Sequence, residues 1–270
     1  YFKAQELPTD EAVIGWNDGS LPSYHTMTWT SGNEFITAMY NRIYYQIGIC
    51  NEYIRETSDE KLASRGITSP EIKMYRAEAR FLRALSYYHA LDMFGSVPFV
   101  TEKDAVGSFL PKQISKADLF TYIESELKAI EVDMAEPRKN EYARADKAAA
   151  WALLARLYLN AQVYTGTAKN TEAATYAKKV MDVTGYSLET KYANLFLADN
   201  HKSNEIIFAV NFDGNNTRTY GGTTFLVHAA VGGSMSAAAY GVDGGWGGLR
   251  TTAALVDKFT DTADKRAIFH

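Results

Sequence analysis

The chain has 270 residues, of which 46% are hydrophobic, so it is long enough to bury a sizeable core. Its 28 lysines and arginines are outnumbered by 32 acidic residues, and the net charge of −4 excludes DNA and RNA as primary partners, because phosphate binding needs an excess of basic side chains. Tyrosine leads the aromatic residues with 18 copies, and side chains that join an apolar face to a polar edge suit surfaces that bind sugars or other proteins.

The single cysteine, Cys50, lies in an apolar run, which predicts a core residue and argues against a disulfide framework or a cysteine metal site. The five histidines are scattered without ligand spacing, so we predict no metal site and no cofactor. No stretch approaches the roughly 20 apolar residues of a membrane span. The sequence shows no targeting segment, so any attachment to a membrane is expected to come from a part that is absent from it.

Residues 1–32 are rich in polar residues and turn formers, which predicts irregular backbone. Five helices are then predicted from apolar residues at three- and four-residue steps, from capping residues and from helix-ending glycine or proline. They run from Asn33 to about Glu56, from after Pro70 to Gly95, from Ser115 through Ile130 in a segment that Pro137 closes, from Asp146 to Leu159 and from Asn170 to Gly185. The fold is therefore predicted to be mainly α, with a helical body over about residues 33–185.

Small and large residues alternate along these helices, as where Ala77 and Ala84 stand beside Phe81 and Tyr88. Small residues opposite large ones let helices stack closely, which is how tetratricopeptide pairs build a solenoid. The pattern predicts a tetratricopeptide-like solenoid of helical pairs, although the residues alone support the pairs more firmly than a named repeat.

The character of the chain changes after residue 200. Residues 204–212 are rich in β-formers and predict a short strand, while ten of the 19 glycines lie between Gly214 and Gly248. A last helix is predicted to begin near Thr251 and to continue to the end. The helical body is thus predicted to carry loop-rich regions over about residues 1–32 and 200–250, with few short strands.

The usual catalytic signatures are missing. There is no HExxH, CxxC or P-loop motif, and Gly232–Ser236 lacks the closing glycine of a nucleophile elbow. Asp18, Asp213 and Asp243 lie near aromatic residues in loops, and two of them are the candidates for the carboxylate pair of a glycosidase. Asp-Gly steps are also favoured in turns, and nothing separates the pKa values of these residues. We therefore predict no catalytic residues and no enzyme, with a glycosidase as the weaker alternative.

Four aromatic loops carry the residue types that sugars need. Sugar rings stack their C–H faces on indole and phenol rings, and their hydroxyls need polar partners at the rim. The loops combine Trp16 with Asn17 and Asp18, Trp29 with Asn33, Tyr220 with Gly221 and Gly222, and Trp246 with Arg250. Any one of these rings is as easily explained by burial in a core, but their repetition in loops favours a displayed surface.

Trp246 lies in VDGGWGGLRTT, Val242–Thr252, where four glycines surround one indole. Glycine permits unusual turns and close approach of the backbone. Two interpretations stay open: the indole plugs a core from a loop, or it is displayed, in which case the glycines keep other side chains away from its face.

One segment is specific enough to compare with a known family. Tyr75–Val100, YRAEARFLRALSYYHALDMFGSVPFV, strongly resembles the signature of the SusD/RagB family, an AEARFLRA helix followed by aromatics and an FG-x-VP exit. The resemblance continues through Arg144–Leu159, Tyr176–Val180, Gly185–Tyr186 and Asn204–Phe208, in order.

The resemblance implies a surface lipoprotein of the Bacteroidetes outer membrane that binds glycans without catalysis. It implies that the protein captures starch, malto-oligosaccharides or a similar polysaccharide and passes it to a SusC-like TonB-dependent transporter. It also implies a solenoid of helical pairs that supports a loop-rich binding region. Trp29, Tyr220 and Trp246 are the expected aromatic arc, with Asn33 and Arg250 as polar contacts and the Trp16–Asp18 loop as a further contact.

Two features depart from the family pattern. The signal peptide and lipid-bearing cysteine are absent from this sequence, and family members are much longer. Residues 1–270 are therefore expected to form a single SusD-like domain that is an N-terminal portion of such a protein. The alternative function is a helical-repeat scaffold that binds protein and no sugar, which would concentrate its aromatics on a concave helix face.

Overall fold

The computed structural model describes residues 1–107, 109–217 and 219–269. The helices and strands, in chain order, are α1 (Phe2–Glu6), β1 (Ala12–Ile14), α2 (Pro22–His25), α3 (Glu34–Glu56), α4 (Asp59–Ser64), α5 (Glu71–Phe94), β2 (Val97–Pro98), β3 (Gln113–Ile114), α6 (Lys116–Ile130), α7 (Lys147–Leu159), α8 (Ala161–Thr165), α9 (Asn170–Met181), α10 (Gly222–Ala230), β4 (Leu249–Thr251) and α11 (Ala253–Val256). The predicted mainly α class is confirmed.

The chain forms two compact units. The loop-rich unit consists of Tyr1–Met39, Leu188–Ser203 and Val210–His270, and the helical unit consists of Tyr40–Ser187 and Asn204–Ala209. Within the part of the chain that the structure describes, no helix combines the length and apolar character needed to cross a bilayer.

Capping residues set the ends of the helices where the sequence predicts them. The hydroxyl of Ser115 accepts a hydrogen bond from the backbone N–H of Asp118 at 3.1 Å, and α6 begins at the next residue. The carboxylate of Asp146 accepts one from the backbone N–H of Ala149 at 3.1 Å, which starts α7. Each cap satisfies an N–H group that a helix start leaves without a partner. At the other end, Gly95 closes α5 with a φ of 71°, which glycine adopts readily.

The helices of the helical unit pack in pairs. α5 packs on α6, and α7 packs on α9. Ala84 of α5 and Ala150 of α7 are fully buried, as are the large residues Leu127 of α6 and Leu154 of α7. Small side chains thus let the helix backbones approach while large ones fill the space between them. This is the packing that the alternation of alanines with large residues predicts.

A buried arginine joins three elements of the helical unit. The side chain of Arg83 is 2% exposed, and it forms ion pairs with Glu102 and with Glu126, the latter at 2.8 Å. Its Nη1 also donates to Oδ1 of Asn51 at 2.7 Å, and Arg80 binds the same Glu126 through two hydrogen bonds of 2.7 and 3.0 Å. Burial acts to raise the pKa of Glu126, but the hydrogen bonds and charges of the two arginines outweigh it and hold this pKa below its usual range. The network is therefore ionised near neutral pH, although Nε of Arg83 is buried and has no hydrogen-bond partner among the described residues.

The loop-rich unit is held together by a two-stranded ribbon and a small core. β1 and β4 pair antiparallel, with Val13 opposite Arg250. Leu7, Leu21 and Tyr24 are buried together, and Trp16 packs against them. The ribbon therefore brings the Trp16 loop, which follows β1, next to the Trp246 loop, which precedes β4.

Several predicted elements differ from those observed. Residues 1–32, predicted as irregular backbone, contain α1, β1 and α2, because β1 finds a strand partner in the distant β4 and the short helices pack on the small core of Leu7, Leu21 and Tyr24.

Residues 204–212 form neither helix nor strand, because this segment pairs with no strand of the two described sheets. Its Phe208 ring meets Phe81 edge-on at a centroid distance of 5.3 Å. The predicted last helix is only the four residues of α11, which Thr252 caps. In contrast, α10 forms in the region predicted as a loop, because Phe225 and Ala229, one helical turn apart, are buried on one face.

Candidate functional site

The loop-rich unit contains an open pocket built around three of the predicted aromatic residues. The ring of Trp246 lies 6.3 Å from that of Trp16 and 6.4 Å from that of Tyr220, measured between centroids. The pocket has a volume of about 780 Å³, within the range of small-molecule sites. Its lining consists of Lys3, Gly15, Trp16, Asn17, Asp18, Leu21, Tyr220, Phe225 and Trp246, a set called here the aromatic pocket.

The aromatic rings of the pocket are accessible to a ligand. Tyr220 is 88% exposed and Trp246 is 36% exposed. Trp16 is partly buried, because Phe225 meets its ring edge-on at a centroid distance of 6.4 Å. The rings are tilted to one another, by 53° between the two indoles and by 44° between Trp246 and Tyr220. They therefore present faces in more than one direction to a ligand in the pocket.

Trp246 is fixed by contacts at its backbone and its ring. Its backbone N–H donates to the carbonyl of His228 at 2.7 Å, and the His228 imidazole lies 5.0 Å from the indole at an interplanar angle of 34°. Its carbonyl accepts a hydrogen bond from Nε1 of Trp16 at 3.1 Å. The Trp16 indole N–H is thus used within the protein, which leaves the ring surface rather than the ring edge for a ligand.

The glycines around Trp246 allow close packing, which differs from the predicted role of clearing space above the indole. A methyl group added at Gly245 would lie 2.1 Å from the carbonyl oxygen of Val231, and one at Gly248 would lie 1.9 Å from the Trp16 ring. One added at Gly232 would lie 2.4 Å from Cα of Gly247. These distances are too short for any side chain, so the glycines let the Trp246 loop lie directly against the end of α10 and against Trp16.

The structure brings together five of the eight predicted site residues, namely Trp16, Asn17, Asp18, Tyr220 and Trp246. Trp29 is exposed, but its ring contacts Tyr24 at 6.1 Å and does not line the aromatic pocket. Arg250 lies on β4, where its Nη1 donates to the carbonyl of Leu249 at 3.3 Å, and it does not line the pocket either.

Asn33 has a structural role in place of the predicted ligand contact. It is 6% exposed, and its side-chain oxygen accepts from the N–H groups of Phe35 and Ile36 at 3.0 and 3.2 Å, which makes it the N-cap of α3. Its side-chain nitrogen donates to the carbonyl of Ser20 at 2.9 Å and to the Ser23 hydroxyl at 3.1 Å. Both polar groups of the amide are therefore engaged within the protein.

Replacement of Asn33 by alanine is expected to lower the free energy of unfolding by about 1–2 kcal/mol, because a helix cap and two buried hydrogen bonds are lost. The glycan binding that the sequence predicts is expected to be unchanged in the folded variant. Chemical denaturation and affinity electrophoresis of the same preparation measure the two effects, with exposed Asn41→Ala as the control. Loss of binding without loss of stability would contradict the capping role.

The sequence does not predict four of the residues that line the pocket, namely Lys3, Gly15, Leu21 and Phe225. Phe225 lies on α10, and its burial follows from the apolar run Thr223–Ala230, a signal that the surrounding glycines obscure. Lys3 lies on α1, and a lysine in a short polar segment carries no signal of its own. Only the β1–β4 pairing and the packing of α10 reveal that they belong to one site.

Comparison with known proteins identifies the family. The SusD-like family model described as "Starch-binding associating with outer membrane" matches residues 7–159, more than half of the chain. The chain therefore belongs to the SusD-like family, as its resemblance to that family predicted. SusD-like family members are carbohydrate-binding, non-catalytic proteins.

The individual relatives agree with this assignment. Starch-binding protein SusD of Bacteroides thetaiotaomicron is 40% identical over 263 residues, which is 96% of this chain and 45% of that protein. A SusD-like protein of Bacteroides ovatus is 25% identical over 72% of this chain and 36% of the relative. The crystal structure of a SusD superfamily protein from Parabacteroides distasonis has the same fold, with a TM-score of 0.79 at 23% identity over 97% of this chain and 54% of that one. The chain spans less than half the length of the two sequence relatives.

Proposed function

We propose that the protein binds a glycan without catalysis and that the aromatic pocket holds it, with starch or malto-oligosaccharides as the leading ligand. The observation that carries the proposal is the convergence of Trp16, Tyr220 and Trp246 from distant parts of the chain. Asn17 and Asp18 line the same pocket and offer the donors and acceptors that sugar hydroxyls need. The 40% identity with a protein named for starch binding supports the choice of ligand.

The positions of the carboxylates support binding rather than hydrolysis. Only Asp18 of the three candidate acids lines the aromatic pocket. Asp213 accepts hydrogen bonds from the backbone N–H groups of Asn215, Asn216 and Thr217, which hold its pKa far below the usual range. A carboxyl group with a lowered pKa cannot serve as the general acid that a glycosidase needs.

The proposed cellular role is based on membership of the SusD-like family. We propose a surface-exposed lipoprotein of the outer membrane that delivers its glycan to a SusC-like TonB-dependent transporter. The description of the matched family, which associates starch binding with the outer membrane, supports the location. A helical-repeat scaffold that binds only protein is less well supported, because the exposed rings of the aromatic pocket lie in loops rather than on a concave helix face.

Affinity electrophoresis tests the binding proposal. The protein is run in native gels that contain starch, xyloglucan, laminarin or no polysaccharide. We expect retardation in starch relative to the gel without polysaccharide. Retardation only in another glycan would change the ligand but not the function, whereas no retardation of the folded protein in any gel would overturn the proposed function. A reducing-sugar assay on the same samples is expected to show no hydrolysis.

Replacement of Trp246 by alanine is expected to abolish retardation, because the indole contacts both other rings of the pocket. The far-UV circular dichroism of the variant is expected to match that of the wild type, since α5, α6, α7 and α9 lie in the other unit. Trp29→Ala is the matched control, an exposed tryptophan of the same unit that does not line the pocket. Equal loss of binding and of helical signal would favour the core interpretation of Trp246.

A further inference from the structure

A lysine that no sequence pattern marks lies in the aromatic pocket. Nζ of Lys3 is 3.7 Å from the centroid of the Phe35 ring and 4.4 Å from that of Phe225. Among the described residues, it has no carboxylate within 4.0 Å and no hydrogen-bond acceptor. The ammonium group is therefore held by two ring faces while its N–H donors remain free.

The part of the chain that the structure describes offers the Lys3 ammonium group no hydrogen-bond acceptor, and a ligand could supply one. Ring faces attract an ammonium group, but they do not accept hydrogen bonds as oxygen atoms do. Lys3 is partly buried, and a polar group that loses some of its contacts with water without gaining such a bond is destabilised. Burial accordingly lowers the pKa of Lys3, and the charges of Asp18 and Glu34 only partly oppose this shift. An oxygen atom of a bound molecule would supply the acceptor that the protein does not.

Asp18 provides the complementary group. Its carboxylate lines the same pocket and has no side-chain hydrogen bond or ion pair among the described residues. A free donor and a free acceptor in one pocket match the hydroxyl groups of an uncharged sugar, each of which can both accept and donate. A uronic acid brings a negative charge, and the single positive charge of Lys3 already faces the negative charges of Asp18 and Glu34.

We propose that Lys3 is a ligand-binding residue of the aromatic pocket and that, with Asp18, it makes the pocket selective for uncharged sugars over uronic acids. The inference rests on the proposed function of the pocket. Lys3 donates to sugar hydroxyl oxygens, Asp18 accepts from sugar hydroxyl groups, and Trp16, Tyr220 and Trp246 contact the ring faces.

Isothermal titration with maltoheptaose and with a galacturonate oligomer of the same length tests the inference. Lys3→Met keeps the aliphatic stem over the two rings and removes the donors, so we expect its affinity for maltoheptaose to fall about tenfold or more. Lys3→Arg keeps a cation with hydrogen-bond donors, so its affinity for maltoheptaose is expected to be close to that of the wild type. If Lys3 only supported the fold, the presence of donors at this position would not decide the affinity. Lys191→Met, an exposed lysine of the same unit outside the pocket, is the control and should bind as the wild type does.

Selectivity is tested with the same two oligosaccharides. The wild type is expected to bind maltoheptaose and to reject the galacturonate oligomer, and Asp18→Asn is expected to admit the galacturonate oligomer. If the wild type binds maltoheptaose and Lys3→Met binds it equally well, the inference about Lys3 is wrong while the proposed function stands. Tighter binding of the galacturonate oligomer than of maltoheptaose by the wild type would also overturn the inference alone. If the wild type binds neither, both the inference and the choice of starch as ligand fail.

Discussion

An Arg83→Ala variant is expected to lose about 3–5 kcal/mol of unfolding free energy, because it removes a buried guanidinium that forms ion pairs with two carboxylates. Arg83 is 2% exposed and pairs with Glu126, which is itself 14% exposed. Arg80 would remain bound to Glu126, but Glu102 and Asn51 would lose their contact with the guanidinium. The loss is expected in the helical unit, to which all five residues belong.

Urea denaturation followed by far-UV circular dichroism measures this loss. Arg42→Ala is the matched control, since Arg42 is an exposed arginine of α3 in the same unit. This control substitution is expected to change the free energy of unfolding by no more than about 0.5 kcal/mol. A change for Arg83→Ala as small as that of the control would show that the network contributes nothing to stability.

Replacement of Gly248 by alanine is expected to weaken glycan binding by about 30-fold or more, the effect of losing a dominant contact of a binding site. The added methyl group would lie 1.9 Å from the Trp16 ring, so the indole has to leave its place beside Trp246. The move also breaks the hydrogen bond from Nε1 of Trp16 to the Trp246 carbonyl.

The neighbouring loop offers a matched control for this experiment. A methyl group added at Gly244 meets no atom within 4 Å, so Gly244→Ala is expected to bind as the wild type does. Titration with maltoheptaose measures the affinity, and tryptophan fluorescence reports the displacement of Trp16. Wild-type affinity of Gly248→Ala would show that the place of Trp16 beside Trp246 does not matter for binding.

Much of the helical unit could be predicted because its signals are local. Ser115 and Asp146 cap helices through bonds to residues three positions further along, so a short stretch of sequence contains both partners. Gly95 likewise ends α5 by its own conformation. Arg83 is different, because the sequence shows an arginine on a helix and gives no sign that Glu102 and Glu126 will surround it.

The aromatic pocket could be predicted only in part, because its contacts join distant segments. Composition and local context point to Trp16, Tyr220 and Trp246, but the same reasoning applies to Trp29, whose ring packs on Tyr24. Asn33 shows the limit most clearly. From the sequence, a polar residue before a helix can be either a helix cap or a ligand contact. The hydrogen bonds from the Phe35 and Ile36 N–H groups, which only the structure shows, identify Asn33 as a cap.

The separation of Trp16 and Trp246 by 230 residues has a consequence for how the pocket forms during folding. Closing so long a loop carries a large entropic cost, whereas helical turns form within short segments. During synthesis, β4 has to emerge from the ribosome before β1 can pair with it. The aromatic pocket is thus expected to form late in synthesis, whereas the pairs of helices in the other unit do not depend on so distant a strand.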